Sequence, residues 1–160
     1  MKKLFCLMAL AVFFAGVRLY ACTASYADVD PANAETMLAA KLEAQDLKAE
    51  ALKAITDGNM VEASSLYVQA ATKHPETLCQ ASYTWQAAMC LVAHKNASND
   101  WAINTKITQD QATEALSLLT KAETLDRKET PYCSSGVNKE NLLRIIKLNR
   151  KWISFYTVSK

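Results

Sequence analysis

Glycine and proline are scarce, at three each in 160 residues: Gly16, Gly58 and Gly136, and Pro31, Pro75 and Pro131. With so few turn formers the chain has no glycine-rich loop that could cradle a phosphate. Long stretches are left between the breaks, and regular elements must fill them. No segment alternates apolar and polar residues over strand length, which argues against a fold built on a sheet. Histidine occurs twice, and no Ser, His and Asp arrangement accompanies it. The five cysteines form no CxxC, CxxCH or zinc-like spacing, so thiol redox catalysis, c-type haem and structural zinc all lack their ligands. The expectation is therefore no enzyme, no metal and no cofactor.

A membrane-spanning run is also missing. The longest charge-free apolar stretch, residues 4 to 17, has 14 residues, against the roughly 20 a spanning helix needs. It follows Lys2 and Lys3 and precedes Ala21, Ala24, Ser25 and Ala27, which is the layout of a secretory signal peptide over residues 1 to 27. Two processing routes fit. Ser25-Tyr26-Ala27 suits signal peptidase cutting ahead of Asp28, giving an exported soluble chain over residues 28 to 160. Leu19-Tyr20-Ala21-Cys22 is similar to a bacterial lipobox, in which Cys22 would be acylated and the leader would end at 21. The expected location is the periplasm, the exterior, or the membrane as a lipoprotein.

Charge is unevenly placed. Residues 138 to 160 carry six Lys/Arg and one Glu, whereas residues 28 to 137 carry nine basic and 15 acidic residues. Without the leader's three basic residues the chain is close to neutral, so its balance gives no reason to expect nucleic acid. A basic end on an acidic body remains.

What is abundant is Ala, Leu, Glu, Lys and Gln, the strong helix formers. The reading is all-α. Asp30-Pro31 is a good helix start, with a capping acid and a proline in the first turn. The expected helices run from about 31 to 56, 60 to 73, 76 to 93, 109 to 125 and 138 to 156. Ala44, Leu47, Ala51 and Ile55 share one face of the first.

In the second helix Ala63, Tyr67 and Ala70 stand at i, i+4 and i+7, two small residues around a large one. Small side chains let a neighbouring helix come close while the aromatic fills the gap. Gly58 reverses the chain before this helix, and Pro75 ends it. Ala115, Leu118, Leu119 and Ala122 repeat Ala63, Leu66, Tyr67 and Ala70 at a distance of 52 residues. This pattern, with Leu47 and Ala51 as the large and small residues of the preceding helix, resembles the tetratricopeptide repeat family, as a short exported bacterial member. The resemblance covers residues 44 to 127. Arg127 stands where a closing proline is expected, and a 34-residue repeat requires an insertion in the second copy, near 94 to 109.

The resemblance implies antiparallel helical hairpins, about two repeats, with the C-terminal helix as a cap. It further implies a protein or peptide partner in a groove lined by the first helix of each hairpin, where Gln45, Lys48 and Leu52 lie off the packing stripe. Two repeats seldom close a core alone, so a homodimer joined at the open ends is an alternative.

Cys79, Cys90 and Cys133 remain after export. Cys79 and Cys90 lie about 16 Å apart along one helix and cannot bridge. An antiparallel return after residue 125 brings Cys133 near Cys79, which leaves two readings open: a Cys79–Cys133 disulfide with Cys90 a buried thiol, or three unpaired thiols. His74 and His94 fall at expected helix C-termini, where the dipole favours a protonated ring. Trp101 either anchors the polar insertion on the hairpin or stands exposed for a partner, and the anchor is the favoured reading. In the last helix Leu142, Ile145, Ile146, Trp152, Ile153 and Tyr156 are assigned to one broad apolar face, with Arg144, Lys147, Arg150 and Lys151 elsewhere. That helix either caps the last hairpin or docks as a basic amphipathic helix on anionic lipid or an acidic partner.

Overall fold

The computed structural model describes residues 31–96, 98–104, 107–125 and 138–158. One compact unit begins at Ala34. Among the described residues the fold is predominantly helical: α1 (Pro31–Thr56), α2 (Met60–Lys73), α3 (Thr77–Val92), β1 (Ala93–Lys95), β2 (Trp101–Ile103), α4 (Gln109–Leu125) and α5 (Lys139–Val158).

The turn between α1 and α2 is a Schellman closure. Gly58 takes φ +80, its N–H bonds Ile55 O at 3.1 Å, and the N–H of Asn59 reaches Ala54 O at 2.7 Å. A β-carbon on Gly58 would meet open space, so the demand for glycine here is purely conformational. The reversed chain runs antiparallel to α1, with Lys73 Nζ 2.8 Å from Glu43 Oε1. At the other end of α2, Pro75 blocks continuation. The freed polar groups find side chains: Gln80 Nε2 donates to His74 O at 2.6 Å, and the N–H of Glu76 donates to His74 Nδ1 at 3.1 Å.

Two packed clusters share α3 as their common wall. On one side Ala44, Ala51 and Ala54 of α1 and Ala63, Tyr67 and Ala70 of α2 meet Tyr83, Ala87 and Cys90. On the other, Leu78, Ala81, Ala88 and Val92 meet Ala112, Ala115, Leu119 and Ala122 of α4 and Leu142, Ile146 and Ile153 of α5. A helix buried on both sides should be small and apolar around most of its circumference, and α3 carries Ala81, Ser82, Ala87 and Ala88. A buried bond from Ser64 Oγ to Ala87 O at 2.9 Å fixes how α2 lies along it.

The absence of strands is corrected by a small antiparallel pair between α3 and α4, Ala93 opposite Ile103 and Lys95 opposite Trp101. Three-residue strands are too short to show an alternating pattern; the hairpin is set by its turn. Asn96 Oδ1 accepts from the N–H of Ser98 at 3.0 Å and of Asp100 at 2.9 Å, and Asn99 adopts φ 61. The N–H of Asn104 then returns to Val92 O at 2.8 Å. Helix α4 starts with a reciprocal capping box between Thr108 and Gln111, and Asn138 Oδ1 caps α5 through the N–H of Asn141. Residues 1 to 30, Cys22 and Asp30 among them, and Arg127, Pro131, Cys133 and Gly136 lie outside the described residues.

Candidate functional site

Helix α1 is apolar on two opposite sides. Ala44, Ala51 and Ala54 are buried, whereas Leu38, Leu42 and Leu52 each expose about half of their surface. At 100° per residue, Leu38, Leu42, Gln45, Ala49 and Leu52 form a stripe spaced 4, 3, 4 and 3 that points away from the core. Gln45 and Leu52 therefore lie together on the exposed side. Lys48 is half-buried on its flank, beside Lys41, whose ammonium lies 3.5 Å from Glu76 Oε1. Of the repeat-pattern residues, Ala51, Ala63, Tyr67, Ala70, Ala115, Leu119 and Ala122 are buried, Leu47 and Pro75 are half-buried, and Gly58 is exposed in its turn.

A second surface lies where α3, the β-hairpin and α5 meet. Met89, Trp101, Ile103, Leu148, Asn149 and Trp152 line a cleft of about 240 Å³. Trp101 packs on the α1–α3 cluster and carries Lys95 over its ring, 4.3 Å from the centroid. Asn149 Nδ2 points at Met89 Sδ, 3.1 Å away.

The single broad apolar face assigned to α5 is corrected here. Leu142, Ile146 and Ile153 are buried and Ile145 is half-buried, but Trp152 is 48% exposed. It aligns instead with Leu148 at 55% and Phe155 at 73%, on a second stripe spaced 4 and 3 that faces outward. The basic set is also narrower. Arg150 is ion-paired with Glu123 of α4, leaving Arg144, Lys147 and Lys151 exposed beside the outer stripe.

The polar cluster at the α2–α3 turn corrects the histidine assignments. His74 is 2% exposed, its ring set edge-on to Tyr83 at 5.6 Å, and its Nδ1 accepts a backbone hydrogen bond. Burial therefore holds its pKa below the usual histidine value, with Lys41 pushing the same way against the opposing pull of Glu76. The ring is neutral, not a dipole-stabilised cation. His94 lies in β1, not at a helix end, and pairs through Nδ1 with Asn104 Oδ1 at 2.7 Å.

Cys79 is buried, its thiol 3.5 Å from Glu76 Oε2, and its expected partner Cys133 is outside the described residues. Cys90 is a buried thiol pushed up to about 12 by its surroundings. Tyr67 OH and Trp85 Nε1 are buried with no hydrogen-bond partner among the described residues, and burial drives the Tyr67 hydroxyl far above its ordinary pKa. Among the described residues no group of three or more His, Cys, Asp or Glu could hold a metal ion. Searches of protein-family models, curated proteins and solved structures return no match to this chain.

Proposed function

We propose that this chain is a non-enzymatic interaction module of tetratricopeptide type, exported to the bacterial periplasm or cell envelope, that binds a protein or peptide on the outer side of α1. The observation that carries the reading is the exposed stripe of Leu38, Leu42 and Leu52 on a helix whose opposite side is already buried. Exposed leucines repeated at helical spacing form a seam complementary to an amphipathic helix, which would bring its own apolar residues at matching intervals. Acids on one flank, Glu35, Asp46 and Glu50, and Lys41 and Lys48 on the other would orient such a ligand. The leader and the Gly58, Ala63, Tyr67, Ala70, Pro75 pattern support the compartment and the repeat type.

The test is site-specific. Photo-cross-linkers placed at Gln45 and Leu52 should capture the same partner from envelope extract, and the Lys48→Glu/Leu52→Glu variant should lose it while keeping its helical circular dichroism. Capture undiminished in that variant would remove the α1 surface from the function.

A further inference from the structure

We propose that the cleft between α3, the β-hairpin and α5 binds a neutral, planar aromatic molecule of the size of indole. The site is separate from the outer side of α1 and does not rest on the partner proposed there.

The walls come from three elements that other contacts already hold. Met89 is buried in α3, the helix packed on both of its sides. Trp101 and Ile103 belong to β2, in register with Lys95 and Ala93, and the end of that strand is tied to α3 by the Asn104 N–H on Val92 O. Leu148, Asn149 and Trp152 belong to α5, which docks through Leu142, Ile146 and Ile153. Each wall is thus placed by contacts outside the cleft, and about 240 Å³ remains between them. Side chains that face a gap forfeit dispersion contacts, which an inserted ring would restore. Walls placed in advance also spare a ligand the cost of ordering them.

The lining selects the occupant by size, chemistry and charge. An apolar cavity of about 150 Å³ takes up benzene, so this wider cleft has room for a second fused ring. Two indoles and a thioether are the side chains that favour an aromatic neighbour over an aliphatic one. Among the described residues no Asp, Glu, Arg, Lys or His lines the cleft, and a charged ligand would lose water there without gaining a counter-charge. Lys95 lies outside the lining, with its ammonium 4.3 Å from the Trp101 centroid. One polar side chain remains to set orientation. Asn149 directs Nδ2 to Met89 Sδ at 3.1 Å, a weak acceptor, and its amide oxygen can accept from a ring N–H.

The chain carries its own readout. Of its three tryptophans, Trp101 and Trp152 line the cleft, whereas Trp85 packs against the cluster that α3 forms with α4 and α5. The experiment is titration of the isotope-labelled full chain, as processed by an exporting host, with indole, following the three tryptophan ring N–H resonances by NMR. The Trp101 and Trp152 resonances should shift together and saturate with a Kd on the order of 100 µM, while that of Trp85 stays in place. Asn149→Leu should weaken binding about fivefold. Ile103→Phe, which puts a protein ring into the cleft, should abolish saturation while the spectrum keeps its dispersion, and cyclohexanol should bind about tenfold more weakly than indole. Shifts that rise linearly without saturating, or equal movement of Trp85, would overturn the proposal. So would undiminished binding by a folded Ile103→Phe variant, or tighter binding of benzoate than of indole.

Discussion

Helices α2 and α4 bury residues at the same spacing, Ala63, Tyr67 and Ala70 in one and Ala115, Leu119 and Ala122 in the other, but the connections that lead into them differ. Between α1 and α2 the chain turns in three residues, 57 to 59; between α3 and α4 it takes sixteen, 93 to 108. The short turn depends on one glycine at positive φ. The long one satisfies its own backbone through Asn96 and returns to the end of α3 through Asn104. It also anchors itself through Trp101. The spacing of the buried residues is thus the same behind connections of very different length. A long connection is tolerated when it brings its own hydrogen bonds and one large side chain to hold it down.

The strongest challenge to that comparison is to empty equivalent positions. Tyr67→Ala should cost about 3–5 kcal/mol, and Leu119→Ala, at the matching place in the second hairpin, about 2–5 kcal/mol in urea unfolding. A loss below about 1 kcal/mol at Leu119 would mean that the second hairpin is held loosely despite its burial.

Breaking the two turns should matter less. Gly58→Ala forces a β-carbon into the left-handed region and should cost about 1–2 kcal/mol, while Asn96→Ala removes the one oxygen that accepts two turn hydrogen bonds and should cost about 1 kcal/mol. The Asn96 change should leave the Gly58 closure untouched, so the two losses should add.

A smaller effect has the opposite sign. The hydroxyl of Tyr67 is buried with no partner among the described residues, so Tyr67→Phe should stabilise the first hairpin by about 1 kcal/mol. A loss of stability in that variant would show that the hydroxyl has a partner after all.

The slightest effect is on pH. Because the folded His74 titrates below the ordinary histidine value, the unfolded chain binds more protons as pH drops. Stability is therefore full above about 6.5 and declines as pH falls from there through the lower folded pKa. His74→Gln should flatten that slope in urea titrations at successive pH values.

The helices were legible because breaks are so rare. Gly58 and Pro75 divide otherwise uninterrupted helix formers, and the observed ends fall at or within two residues of the expected ones. Thr108 and Gln111 carry the capping-box spacing in plain sequence, so the start of α4 had a signal of its own. The β-hairpin had none in its apolar pattern; the signal was Asn96, Asn99 and Asp100, a cluster of turn formers whose hydrogen bonds appear only once the chain has folded back. For α5, apolar residues in two sectors of the helix merged into one broad face on the sequence. Only the packing of α4 shows which sector is inward, and only tertiary proximity ties Arg150 to Glu123 across 27 residues. His74 was misread for a similar reason, since a helix end predicts a dipole but not the burial against Tyr83 that outweighs it.

The buried Cys90 thiol has a practical consequence. Held near 12, it stays protonated at any ordinary pH, so an alkylating reagent cannot attack it while the α1–α3 cluster is closed. Each labelling event at Cys90 would count one opening of that cluster. Labelling at Cys90, read site by site, would thus report local breathing of that cluster.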